Sequence, residues 1–194
     1  MKINSEVLEQ LYSMFRKEQS EFKKMTDYYE NKSDAMMNYK MITERSSLKT
    51  NTNFIKLFID KEVSYSLGND ITYSSRSGNE EFVNEVVRRL TNLEETHDIN
   101  LLESMLIHSI AYELYYIDRD GEFAAKVIPA TSGYALLDEY GDIEVFLHVF
   151  ERTFQPGVFI DVYTDDLIYH YRFSREGREK KWEEIAEPNK HIFG

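Results

Sequence analysis

From Ser5 to about Glu30, Leu8, Leu11, Phe15, Phe22, Met25 and Tyr29 recur at alternating steps of three and four, broken only at Glu18. That spacing predicts one long helix with a single apolar stripe and a charged opposite face. Asn4 or Ser5 can cap it, and Glu6 and Glu9 suit its positive end. Packing against the chain's own core is expected in preference to a coiled coil. Asn31 to Thr52 is polar and reads as a linker, with one helical turn near Met36 to Tyr39. Asn53 then opens a second helix, Phe54 to Leu67, in which Ile55, Ile59, Val63 and Leu67 sit four apart and Gly68 is the stop. Asp70 to Ser75 alternates like a strand. Gly78-Asn79 begins a third helix carrying Phe82, Val83, Val86, Val87 and Leu90. Asp98 caps a fourth, with Leu101, Leu102, Met105 and Leu106 on one side.

After Ala111 the period changes to two. Tyr112 to Ile117 and Glu122 to Ile128 flank Asp118-Arg119-Asp120-Gly121, a hairpin turn. Further strands are expected at Gly133 to Leu137, Ile143 to Arg152, Val158 to Tyr163, Leu167 to Phe173 and Lys181 to Ile185. Gln155-Pro156-Gly157 and Thr164-Asp165-Asp166 read as turns. Helices followed by an antiparallel meander predict an α+β fold, with residues 1–50 as long helix and linker and 51–194 as the α+β domain.

Charge narrows the partners. Lys and Arg number 23 against 35 Asp and Glu, a formal net charge of −12. Such a surface repels phosphate, which argues against wrapping nucleic acid or docking on anionic membranes. No Cys is present, so disulfides and thiol chemistry are out. The start, MKINSEVLEQ, has no apolar h-region, and no apolar run approaches the ~20 residues that span a bilayer. The chain has 14 Tyr and 12 Phe. Tyr joins an apolar body to a polar tip, which suits half-buried faces and subunit contacts.

Candidate chemistry is sparse. Asp118-Arg119-Asp120-Gly121-Glu122 has the D-x-D-G core of a calcium loop, but a Pro at the twelfth position and strand flanks favour a plain turn. The histidines at 97, 108, 148, 170 and 191 show no ligand spacing and read as structural. No phosphate-cradling glycine loop and no G-x-S-x-G elbow occurs. Asp142, Glu144 and Asp161 could meet on neighbouring strands as metal ligands of a hydrolase or nuclease. The pattern by itself does not require it, and no cofactor or metal is expected. A third reading makes the first helix the recruiting element of an adaptor.

Three segments, in order, resemble the phage portal family of siphophage type. The first is NTNFIKLFIDKEVSYSLGNDITY, Asn51 to Tyr73, with Tyr28-Tyr29 upstream; Asp70 stands where the family usually has Pro. The second is SIAYELYYIDRDGE, Ser109 to Glu122, followed by Ile128-Pro129; a Gly common near Ile110 is absent. The third is Asn189-Lys190-His191-Ile192-Phe193-Gly194. The resemblance implies the outer wing region of a non-enzymatic ring subunit in the virion, and in the host cytoplasm during assembly. The chain would be a piece of a longer protein or a short prophage product, lacking stem, clip and crown. Implied partners are further copies in a homo-oligomeric ring, the terminase packaging motor, tail connector and adaptor proteins, and scaffold. DNA would pass without sequence-specific binding. Tyr112, Tyr115 and Tyr116, on alternating strand faces, are the candidate subunit contacts.

Overall fold

A computed structural model describes residues 3–38, 52–69, 71–90, 96–176 and 179–191. Its helices are α1 (Ser5–Tyr29), α2 (Asp34–Met37), α3 (Phe54–Ser66), α4 (Glu80–Leu90) and α5 (His97–His108). Strands follow: β1 (Tyr112–Ile117), β2 (Phe123–Ile128), β3 (Gly133–Leu137), β4 (Ile143–Arg152), β5 (Gln155–Tyr163), β6 (Leu167–Glu176) and β7 (Glu179–Lys190). β1 and β2 form an antiparallel hairpin, and β3 to β7 form an antiparallel sheet in sequence order. The fold is α+β. It divides into one compact unit of residues 1–20 and 112–194 and a second of residues 21–111. This differs from a boundary near residue 50, because the first four turns of α1 pack on the sheet. The expected linker falls largely on 39–51, outside the described residues.

In the first unit, Leu8, Leu11 and Phe15 of α1 are buried with Val145, Leu147 and Val149 of β4 and Ile160 and Val162 of β5. Asn4 caps the helix, its Oδ1 accepting from Val7 N at 2.8 Å. Tyr12 lies edge-on to Trp182 of β7 (5.2 Å between centroids), and Trp182 Nε1 donates to Glu9 Oε2 at 2.6 Å. The first half of the stripe predicted from sequence, Leu8, Leu11 and Phe15, is therefore this unit's core face; Phe22, Met25 and Tyr29 belong to the second unit, where Tyr29 is buried and Met25 is exposed. Each fully buried Leu or Phe removes enough apolar surface from water to contribute about 1.5–3 kcal/mol.

Two hairpin turns share one design. Asp118 Oδ1 accepts from the amides of Asp120 and Glu122, both at 2.9 Å, and Gly121 sits at φ 83°. Asp138 Oδ1 accepts from Tyr140 N (2.8 Å) and Asp142 N (2.9 Å), and Gly141 sits at φ 90°. Each is a three-residue loop closed by a residue in the left-handed region, which Gly adopts without strain.

The second unit is tied at Tyr29. Its hydroxyl accepts from Lys56 Nζ at 2.7 Å, with the carboxylates of Asp60 (3.0 Å) and Glu103 in hydrogen-bond range. Asn53 Nδ2 donates to the Tyr29 carbonyl at 2.6 Å while Asn53 Oδ1 caps α3. Burial, then the Glu103 bond, pushes the Tyr29 hydroxyl up to about 12.

Four sequence expectations need correction. Residues 71–75 are not a strand: no described strand lies beside them, and an unpaired strand has no ladder to hold it; Asp70 lies outside the described residues. α5 begins at His97 with Thr96 at its cap, and Asp98 lies within the first turn. Gln155-Pro156-Gly157 is the start of β5, the chain reversing at Thr153-Phe154 instead; both Arg172 Nε and Nη2 donate to the Pro156 carbonyl. β7 runs well past Ile185, and its Pro188 is tolerated because β7 is an edge strand.

The hairpin is fixed to the sheet through Gly133. A methyl group at that position would lie 2.5 Å from the Tyr112 ring and 3.0 Å from that of Phe146. Gly133→Ala is expected to destabilise the chain by about 1–3 kcal/mol through overpacking. Combining it with Tyr112→Leu should give less than the sum of the two single effects in urea unfolding. Strict additivity would show that the ring does not rest on the glycine.

Candidate interaction surface

Alternation along β4 and β5 sends Val145, Leu147, Ile160 and Val162 toward α1 and leaves Phe146, His148, Phe150, Asp161 and Tyr163 on the opposite face. Register then builds a row across three strands: His148 pairs with Asp161, and Asp161 with His170. His170 Nδ1 lies 2.7 Å from Asp161 Oδ1. A carboxylate only accepts, so Nδ1 is the donor, and Nε2 accepts from Asn189 Nδ2 at 3.1 Å. With both ring nitrogens engaged, the pair fixes geometry and presents no free base. His191 Nδ1 donates to the Thr164 carbonyl at 2.8 Å, and its ring meets Tyr163 edge-on at 5.6 Å.

The β1–β2 hairpin flanks this face. An open groove of about 690 Å³ is lined by Tyr115, Tyr116 and Ile117 of β1, by His148, Phe150 and Tyr163 of the sheet, and by Lys126, Lys190 and His191. Its walls are aromatic and its lysines are exposed. Burial, helped by the nearby Lys126 charge, pushes the His148 imidazole below its ordinary value. Burial likewise raises the Tyr163 hydroxyl. Such a surface can hold an aromatic or acidic group of a partner by stacking and charge.

The three tyrosines singled out from sequence separate here. Tyr112 is 7% exposed and packs against Phe146 at 5.0 Å, so it belongs to the core and is not available to a neighbour. Tyr115 and Tyr116 keep 45% and 40% of their surface and line the groove. Tyr115 donates to Glu113 Oε2 at 2.7 Å, and that bond, with burial, raises its hydroxyl to about 12.

Asp142, Glu144 and Asp161 do not converge. Asp142 sits in the β3–β4 turn, and Asp161 stands level with His148, about 13 Å up the strand from Glu144 at the usual rise. Among the described residues no group of three or more His, Cys, Asp or Glu could hold a metal ion. The Asp118 carboxylate serves backbone amides. The stripe of α1 that would recruit a partner is buried at Leu8, Leu11 and Phe15.

The family model described as phage portal protein, SPP1 Gp6-like, matches residues 9–194. The chain belongs to the phage portal protein family. No match was found among curated proteins. The portal family is a structural one, its members virion proteins of the DNA-packaging connector. Among the described residues of this portal chain no helix is long and apolar enough to cross a membrane. The groove with its His-Asp-His row is the feature that sequence reasoning missed. The turn at Thr164-Asp166 already sets Asp161 opposite His170, so counting outward from it would have found the pair.

A neutral His148 has a pH consequence. Its folded value lies below the unfolded one, near 6.5, so unfolded chains take up a proton that folded chains resist. Its contribution is intact above about 6.5 and is lost as pH falls below that value. The urea midpoint of this portal chain should fall between pH 7 and 5, and His148→Gln should flatten the decline. An unchanged slope would show that His148 is not held neutral.

Proposed function

We propose that the chain is the wing region of a portal subunit, which assembles into a homo-oligomeric ring at one vertex of the phage head. The ring admits DNA during packaging and releases it at ejection. It docks the terminase motor, later the tail connector and adaptor proteins, with scaffold present during assembly in the host cytoplasm. Its role is mechanical: any ATP hydrolysis belongs to the motor.

The observation that carries this reading is the family match across residues 9–194. Charge supports it. A surface of net −12 gains little from phosphate contacts, so DNA can slide past without being held. The half-exposed apolar residues of β1, the aromatic Tyr115 and Tyr116 and the aliphatic Ile117, support a role in subunit contacts.

Deleting the gene from its phage, or from an inducible prophage, is expected to give heads without packaged DNA, seen by electron microscopy. DNA-filled infectious particles from the deletion would overturn the proposal. The 194-residue chain alone should scatter light as a monomer or small oligomer at micromolar concentration, because copies of net charge −12 repel one another; a large discrete oligomer would contradict this. Calorimetry should show no tight ATP binding; a clear saturable heat would contradict the mechanical role.

A further inference from the structure

We propose that the β3–β4 turn of one copy docks, by way of Tyr140, into the Tyr115–Phe150–Tyr163 groove of the next copy. This inference rests on the ring reading and names one contact within it.

The turn is a preformed knob. Tyr140 is 83% exposed, and Leu137 and Ile143 at its base keep 53% and 56% of their surface. Asp138 locks the loop through two side-chain bonds to backbone amides, so little ordering entropy remains to be lost on binding. Glu139, Asp142 and Glu144 surround the apolar tip with negative charge, and all three are exposed.

The groove is the complement. It offers aromatic walls, and Lys126 and Lys190 stand in it without an ion pair among the described residues; of its two acids, Asp161 is engaged by His170 and Glu151 lies at the Phe150 end. In a chain of net charge −12, two unpaired lysines beside an apolar cleft mark where an acidic aromatic segment gains both stacking and charge. Copies of this chain repel one another overall, so association needs such a local match.

The knob cannot fill its own groove. Phe150 lies seven residue steps beyond Ile143 along β4, about 23 Å at the usual strand rise. The contact is therefore intermolecular. Knob and groove are different surfaces, so it is heterologous, the kind that closes into a ring when the rotation permits.

Photo-crosslinking tests it. Tyr140 is replaced by benzoyl-phenylalanine in the 194-residue chain, and isotopically heavy and light copies are mixed at high concentration, irradiated and mapped by mass spectrometry. Heavy–light cross-links should end on Tyr115–Ile117 or on the Phe150 and Tyr163 walls. Lys126→Glu should lower their yield roughly tenfold, and adding Glu139→Lys should restore it. The urea midpoint of each variant confirms folding. Absence of heavy–light cross-links, products mapping elsewhere, or indifference to Lys126→Glu overturns the contact. The gene deletion is the separate control: if cross-links fail while deletion still blocks packaging, the contact falls and the portal reading stands. If packaging survives deletion, the portal reading falls, whatever the cross-links show.

Discussion

Burial of the first half of α1 against one face of the five-stranded sheet is the constraint that orders everything else. Leu8, Leu11 and Phe15 can leave water only there, and Val145, Leu147, Ile160 and Val162 can leave water only beneath them. Because strand side chains alternate, choosing the inner face also chooses the outer one. A slip of one residue would drive Phe146, His148 and Asp161 under the helix and expose the aliphatic set. The groove on the far face thus follows from a hydrophobic stripe at the N-terminus that never touches it.

That far face combines polar and aromatic residues without leaving polar atoms stranded. Asp161, half-buried, would be unfavourable alone, but His170 and Asn189 complete a chain of bonds across three strands. The hairpin that flanks the face is held by shape. Gly133 has no side chain, and the Tyr112 ring occupies the space. Tyr112 holds the hairpin down while Tyr115 and Tyr116, further along the same strand, reach the surface. Three tyrosines that look equivalent in the sequence therefore divide between anchoring and display according to distance from the anchor.

Local pattern was readable where one physical term dominated. The apolar stripe of α1, the caps at Asn4 and Asn53, the α+β class and the strands from Tyr112 to Leu137 follow from periodicity and turn chemistry. The errors arise where two signals compete. Gln155-Pro156-Gly157 has turn composition, yet Thr153-Phe154 makes the turn because pairing resumes at Gln155 opposite Arg152. The alternation of Ile71 and Tyr73 has no adjacent strand to pair with among the described residues. β7 is too polar and too Glu-rich to show alternation, and its length comes from pairing with β6. The His-Asp-His row was hidden for another reason: it depends on register between strands, which no window along one strand contains.

The proposed ring would set an acidic protein around DNA. Net negative charge lowers the attraction to phosphate, but it also drives copies apart, and screening at physiological ionic strength removes only the part beyond roughly 8 Å. Association of such copies must rely on contacts closer than that, where apolar area and a few opposite charges outweigh the diffuse repulsion. In this chain the acids are widely distributed, whereas the groove gathers Lys126 and Lys190 beside aromatic walls. In the proposed ring, an overall charge that keeps DNA free is compatible with a local contact between subunits on a surface that DNA does not reach.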